Sequence, residues 1–244
     1  MRHTLYWDRH SEGGTPPPNG QVVEIAGDEA MHATKSKRLR EGDGCVVCDG
    51  AGVVVSGVVV RATKSRVEVE VVSSEVVAPL RPRVEVFGAT PKGQRLDKML
   101  DMLGQCGCAL WRPLSTSRGV VEPGAHKLER ARRISVEALK QSGGAHLMAI
   151  GEEVSFTDAL TPTPGTRIVL ADGTGEQAVR GLGEGVGTVR LLVGPEGGFT
   201  DEERAMALEQ GRATCVSLGP LVMRIETASV VGAAWAMGLG SAGA

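Results

Sequence analysis

Three short apolar runs in the C-terminal half, "RIVLADGTG", "VRLLVGPEGG" and "CVSLGPLVMR", each break off at a glycine. Before them, "QRLDKMLDMLGQCG" sets Leu96, Met99, Leu100 and Leu103 at helical spacing. "KLERARRISVEALKQSG" likewise lines up Leu128, Ala131, Ser135, Ala138 and Leu139, with Lys127, Arg130, Arg132 and Arg133 in its N-terminal half. Strands alternating with helices predict an α/β domain built on a parallel sheet covered on both faces. Ligands of such sheets sit at the carboxyl ends of the strands, marked here by Gly173, Gly194 and Gly219. These glycines signal either a close approach of backbone to a ligand or ordinary tight turns.

The first part of the chain has a different period. In "RVEVEVV", Val67, Val69 and Val71 share one face and Glu68 and Glu70 the other, and "VVVSGVVV" precedes it. Alternation with glycine turns such as "EGDG" and "DGAG" predicts an antiparallel sheet closing as a small β-barrel. "DEAMHATKSKRLREGD" has helical composition and carries a basic cluster beside it. "SSEVVAPLRPR", with Pro79 and Pro82, reads as a linker. The expected division is residues 1–72, a linker at 73–83, and residues 84–244.

No apolar run reaches about 18 residues, so no membrane span is expected, and "MRHTLYWDRHSEGG" lacks the apolar core of a signal peptide. A cytoplasmic protein with free thiols is expected. Five cysteines fit that better than a disulfide framework. The Cys45–Cys48 pair falls in a strand, where residues three apart face opposite ways, so no metal site is expected. Net charge is −2, yet residues 81–140 are basic and 141–244 acidic.

The stretch "LVGPEGGFTDEE" resembles a phosphate loop with Glu196 set inside it. Thr200-Asp201-Glu202-Glu203 reads as a capping box, which loads the helix start with negative charge and leaves no place for a phosphate. Neither G-x-G-x-x-G nor G-x-x-x-x-G-K-[ST] occurs, against nucleotide cofactors with phosphate tails. S-adenosylmethionine, with an ammonium, a sulfonium and no phosphate, meets the remaining requirements.

Together with "SLGPLVMRIETA", this loop resembles the paired C-terminal motifs of the SPOUT methyltransferases, in particular the RsmE family of 16S rRNA uridine-N3 methyltransferases. The similarity extends through "KGQRLDKMLDMLGQCGCALWRPLSTSRGVV" and "KLERARRISVEALKQSG" to "HATKSKRLREGD" and "DGAG", which are similar to the family's PUA-like RNA-binding domain. The chain departs from the family pattern at Ser36-Lys37, Cys48 and Ile225. The resemblance implies a PUA-like β-barrel followed by a trefoil-knotted parallel-sheet domain, S-adenosylmethionine as cofactor, a homodimer, and 16S rRNA in the small ribosomal subunit as partner.

On that basis Leu170, Gly173, Val193, Gly194, Pro195, Glu196, Gly197, Gly198, Leu218, Gly219, Met223 and Thr227 are the expected cofactor residues. Arg224 and Glu226 are the expected catalytic pair: a fixed cation would stabilise a developing uracil anion. Arg224 could instead serve as a structural partner of Glu196 or Glu226. Lys35, Lys37, Arg38, Arg40, Lys92 and Arg95 are the expected phosphate contacts. The rival readings are a ribose 2′-O methyltransferase of the same superfamily, disfavoured by "MRIETASV", and a non-catalytic RNA-binding assembly factor.

Overall fold

The computed structural model describes residues 3–9, 15–121, 123–161, 163–177, 186–210 and 212–238. The chain divides into two compact units, Met1–Pro79 with Leu139–Leu147, and Leu80–Ala138 with Met148–Ala244.

The first unit contains β1 (His3–Tyr6), β2 (Val22–Ala26), α1 (Gly27–Lys35), β3 (Gly44–Cys48), β4 (Val53–Ala62) and β5 (Arg66–Val76). These strands form one sheet in the order β1-β3-β4-β5-β2, antiparallel except where β1 meets β3. The valine alternation sets its inner face: Val67, Val69 and Val71 are buried, while Glu68 on the other face pairs with Arg61 and Arg66. This is the PUA-like sheet expected, and among the described residues no ladder pairs β1 with β2, the two ends of the strand order. Helix α1 packs against β1, β2 and β5, and its small Ala30 and Ala33, fully buried, let it lie close. Cys45 joins this core and Cys48 is buried outside it, as opposite faces require.

Strand β5 runs four residues into the stretch read as linker, because β4 supplies partners as far as Val53 opposite Val76. The segment Leu139–Leu147 completes this unit. Gly52 N–H donates to Ala145 O at 3.0 Å and Leu147 N–H to Gly50 O at 2.8 Å. Lys140 Nζ lies 2.7 Å from Glu29 Oε2 with its side chain 2% exposed, a position a lysine keeps only when paired.

The second unit begins with β6 (Arg83–Gly88), α2 (Arg95–Gln105), β7 (Leu110–Ser115) and α3 (Ala125–Ser142), the last turn of α3 belonging to the first unit. It continues with β8 (Ala149–Ile150), β9 (Val154–Ser155), α4 (Phe156–Ala159), β10 (Thr166–Gln177) and β11 (Thr188–Val193). It ends with α5 (Asp201–Glu209), β12 (Thr214–Ser217) and α6 (Ile225–Gly238). All its strands are parallel, in the order β12-β10-β11-β6-β7-β8, with β9 beside β7.

Both faces of this sheet are covered, as the alternation of strands and helices predicts. Val189, Leu191 and Val193 point into one apolar cluster with Met99, Leu100 and Ala233, while Leu192 points into the other with Phe156, Phe199 and Ala207. The order β12-β10-β11 gathers the carboxyl ends of the last three strands side by side, and the loops that follow them form the site.

Candidate functional site

A cavity of about 260 Å³ opens at these carboxyl ends. Strand β11 stops at Val193 and the chain turns through Gly194, Pro195, Glu196, Gly197 and Gly198 before α5 begins. The turn needs its glycines at two points. Gly198 has φ +67°, and a Cβ on Gly194 would stand 3.1 Å from the Phe199 ring.

The loop is then fastened from behind. Thr200 Oγ1 accepts from Glu203 N–H at 3.1 Å, while Glu203 Oε2 accepts from Thr200 N–H at 2.9 Å, completing the capping box read from the sequence. Glu203 Oε1 also accepts from Ser117 N–H at 2.7 Å, tying α5 to the turn after β7. From that turn Arg118 Nη1 donates to Gly197 O at 2.6 Å and Phe199 O at 3.4 Å.

Strand β10 passes its neighbour β12 with a register shift between Ala171 and Glu176. At the shift a Cβ on Gly175 would meet the Cys215 carbonyl carbon and Val216 nitrogen at 2.6 Å, so glycine permits two backbones to touch. Gly173 therefore lies inside β10 rather than after its end, though it still lines the cavity. Asp172 lines it too. Burial acts to raise its carboxyl, but the Thr174 N–H at 2.9 Å, the Thr174 hydroxyl at 2.7 Å and Arg204 at 3.3 Å outweigh that and hold it below the usual carboxylate range.

Of the expected cofactor residues, the cavity brings together Gly173, Val193, Gly194, Pro195, Glu196, Gly198, Leu218, Gly219 and Met223. Three do not reach its wall. Leu170 is fully buried in the sheet, Gly197 turns its carbonyl to Arg118, and Thr227 is exposed on α6. The wall also contains residues that were not singled out from the sequence, among them Asp172, Phe199 and Ser217. Among the described residues its charged members are Asp172 and Glu196, with no lysine, arginine or histidine.

The expected catalytic pair lies at the start of α6. Arg224 is exposed and ion-pairs with no described residue, so the structural role considered for it falls to another side chain. Arg95 Nη1 stands 3.6 Å from Glu196 Oε1 and 3.8 Å from Glu226 Oε1, joining α2 to the glycine loop and to α6. Expected as a phosphate contact, Arg95 is instead held between two carboxylates. Glu226 Oε2 is buried and has no hydrogen-bond partner among the described residues.

Of the other expected phosphate contacts, Lys92 is exposed in the second unit. In the first, Lys35, Arg38 and Arg40 are exposed around the buried Leu39, Arg38 with φ +56°. Lys37 is half-buried, its Nζ donating to Thr4 O at 2.6 Å, which anchors it to β1 rather than offering it to solvent. Among the described residues no cluster of His, Cys, Asp and Glu could hold a metal ion.

Comparison with known proteins points the same way as the cavity. The profile of the RNA methyltransferase domain matches residues 78–237, and that of the RNA methyltransferase PUA domain matches residues 25–72. Ribosomal RNA small subunit methyltransferase E of Mycobacterium bovis is 31% identical over 89% of this chain and 86% of its own length. The crystal structure of a probable rRNA-methyltransferase from Porphyromonas gingivalis is 28% identical and superposes with a TM-score of 0.77 over 98% of both chains. In fold the chain also matches ribosomal RNA small subunit methyltransferase E from Neisseria gonorrhoeae bound to S-adenosyl methionine, at 22% identity and a TM-score of 0.82 over 96% of each chain.

Proposed function

Because the chain belongs to the RNA methyltransferase family, with ribosomal RNA small subunit methyltransferase E among its relatives, we propose that it methylates N3 of a uridine in 16S rRNA, using S-adenosylmethionine. The observation that carries the reading is the cavity wall. Among the described residues that line it, the charged side chains are the carboxylates Asp172 and Glu196, each ion-paired with an arginine outside the lining, Arg204 and Arg95, and this wall at the carboxyl ends of a parallel sheet suits a ligand without phosphates. The ribose 2′-O reading has no feature of this site to favour it, and a non-catalytic RNA-binding barrel would leave residues 78–237 without a role.

When bound, S-adenosylmethionine supplies an activated methyl group on a sulfonium. The chain's own residues do the rest. The backbone of the 193–198 and 218–219 turns holds the cofactor, with Met223 packed against Gly219 at 3.0 Å from its missing Cβ. Uracil N3 carries a proton at neutral pH, so transfer requires the ring anion, and Arg224, exposed, ion-paired with no described residue and between the cavity-lining Met223 and Ile225, would stabilise charge on the uracil carbonyls. Glu226, at the first turn of α6 with its Oε2 lacking a hydrogen-bond partner among the described residues, is the group assigned to receive the proton. Holding the two reactants in line removes much of the entropic cost of their encounter.

Lys35, Arg38, Arg40 and Lys92 serve as phosphate contacts, which set affinity and its salt dependence without reading sequence. We propose a homodimer as well. Helix α6 is apolar nearly all round, exposing Val231 at 37%, and the preceding loop exposes Leu221 at 79% and Val222 at 99%. Sedimentation equilibrium showing a monomer would remove that part. Among the described residues no helix is long and apolar enough to cross a membrane, and a ribosomal substrate would place the protein in the cytoplasm.

The decisive experiment is mass spectrometry of nucleosides from small-subunit rRNA of cells with and without the gene. Loss of 3-methyluridine on deletion is the expected result. Its persistence sinks the base assignment, and loss of a 2′-O-methyl nucleoside instead favours the ribose reading.

A further inference from the structure

We propose that Arg118 binds an RNA phosphate and, through it, couples the substrate to the cofactor loop. The inference rests on the reading of this unit as an RNA methyltransferase with its cofactor in the cavity described above.

Arg118 lies in the turn after β7, whose backbone is fixed one residue earlier by Ser117 N–H on Glu203. Its Nη1 is used on two neutral acceptors, Gly197 O and Phe199 O. These carbonyls flank Gly198, the residue with φ +67° on which the loop turns. A guanidinium has five N–H donors in one plane, so Nε and Nη2 keep three along the free edges. That fork matches two oxygens of a phosphate. The side chain is exposed, and no described carboxylate lies within ion-pair distance of it, although Glu202 is near enough to feel its charge.

A positive charge thus stands on the loop that carries Phe199 of the cavity wall, the wall's two described carboxylates already have Arg95 and Arg204, and the cofactor has no phosphate to meet Arg118. The anion that a ribosomal substrate brings in quantity is its backbone. A phosphate on the outer edge would immobilise the guanidinium, and the inner edge would pass that order to Gly197 and Phe199. Once one ligand has ordered the loop the other need not, so each raises the affinity of the other by the same factor.

The test measures binding of the full chain to small ribosomal subunits from cells lacking the gene, between 50 and 200 mM chloride, with and without S-adenosylmethionine. In the wild type the cofactor should tighten subunit binding. In Arg118→Gln the slope of log affinity against log salt should fall by about 0.7, roughly 2.5-fold less weakening over that range, and the cofactor effect should vanish. Arg118→Lys should keep the slope, having kept the charge, and lose the cofactor effect, because one ammonium cannot grip both carbonyls and a phosphate. An unchanged slope in Arg118→Gln, with both ligands still bound, overturns the proposal and leaves Arg118 a brace for the loop. A wild type that binds no S-adenosylmethionine overturns the assigned function and the proposal with it.

Discussion

Replacing Glu203 by Ala removes one carboxylate that serves two segments far apart in sequence. Its Oε2 accepts from Thr200 N–H and its Oε1 from Ser117 N–H, and the residue is 6% exposed, so water replaces neither bond well. Hydrogen bonds to a charged acceptor contribute about 1.5–3 kcal/mol each, which predicts a loss of about 3–6 kcal/mol. Thr200→Ala removes the helix cap and should cost about 1 kcal/mol. Glu203→Gln keeps one acceptor but sets an NH₂ against an N–H, and should fall between. The assay is urea unfolding followed by tryptophan fluorescence in a Trp7→Phe background, where Trp111 and Trp235 of the second unit report. The double variant should cost less than the sum, since the two residues share the capping box. If Glu203→Ala costs no more than Thr200→Ala, the bond to Ser117 contributes nothing and the loop is not braced as described.

Arg224→Ala should leave S-adenosylmethionine affinity in calorimetry within about twofold and lower methyl transfer by about 10²–10³, the effect of removing one stabiliser of a developing anion. Equal loss of both would make the residue structural. Asp172 is held below the usual carboxylate range when folded, so its stabilising contribution is present above the unfolded value of about 3.9 and disappears as pH falls through the lower folded value. Urea midpoints measured from pH 5 downward should therefore fall more steeply in the wild type than in Asp172→Asn. Burial pushes the thiols of Cys45 up to about 11 and of Cys48 and Cys108 up to about 12, so a thiol reagent at pH 8 should modify the partly exposed Cys106 and Cys215 first.

Local signals survive in the sequence where local physics decides. The spacing of Leu96, Met99, Leu100 and Leu103 gave their burial on α2, and Thr200 with Glu203 gave the capping box, because both depend on a single turn or two of helix. What partners a loop across the chain was not legible. Nothing near Arg95 shows that it will face Glu196 and Glu226, and nothing near Arg118 shows that Gly197 will meet it, since the sheet order brings those loops together. The apolar run of "RIVLADGTG" breaks off before Gly173 and so points to a strand end there, yet β10 continues past it, touching β12 backbone to backbone at Gly175. Pro79 and Pro82 marked a break in pattern, but β5 runs to Val76 because β4 is long enough to pair with it.

The return of Leu139–Leu147 to the first unit has a consequence for how the protein is made. Glu29 and the Gly50–Gly52 turn leave the ribosome well before Lys140, Ala145 and Leu147, the residues that satisfy them. Until Leu80–Ala138 has been synthesised, Glu29 has the Tyr6 N–H but not its lysine, and the Gly50 carbonyl and Gly52 N–H lack their partners. Its final closure therefore waits on translation of the first segment of its neighbour, and a fragment ending at Pro79 would be arrested at that stage.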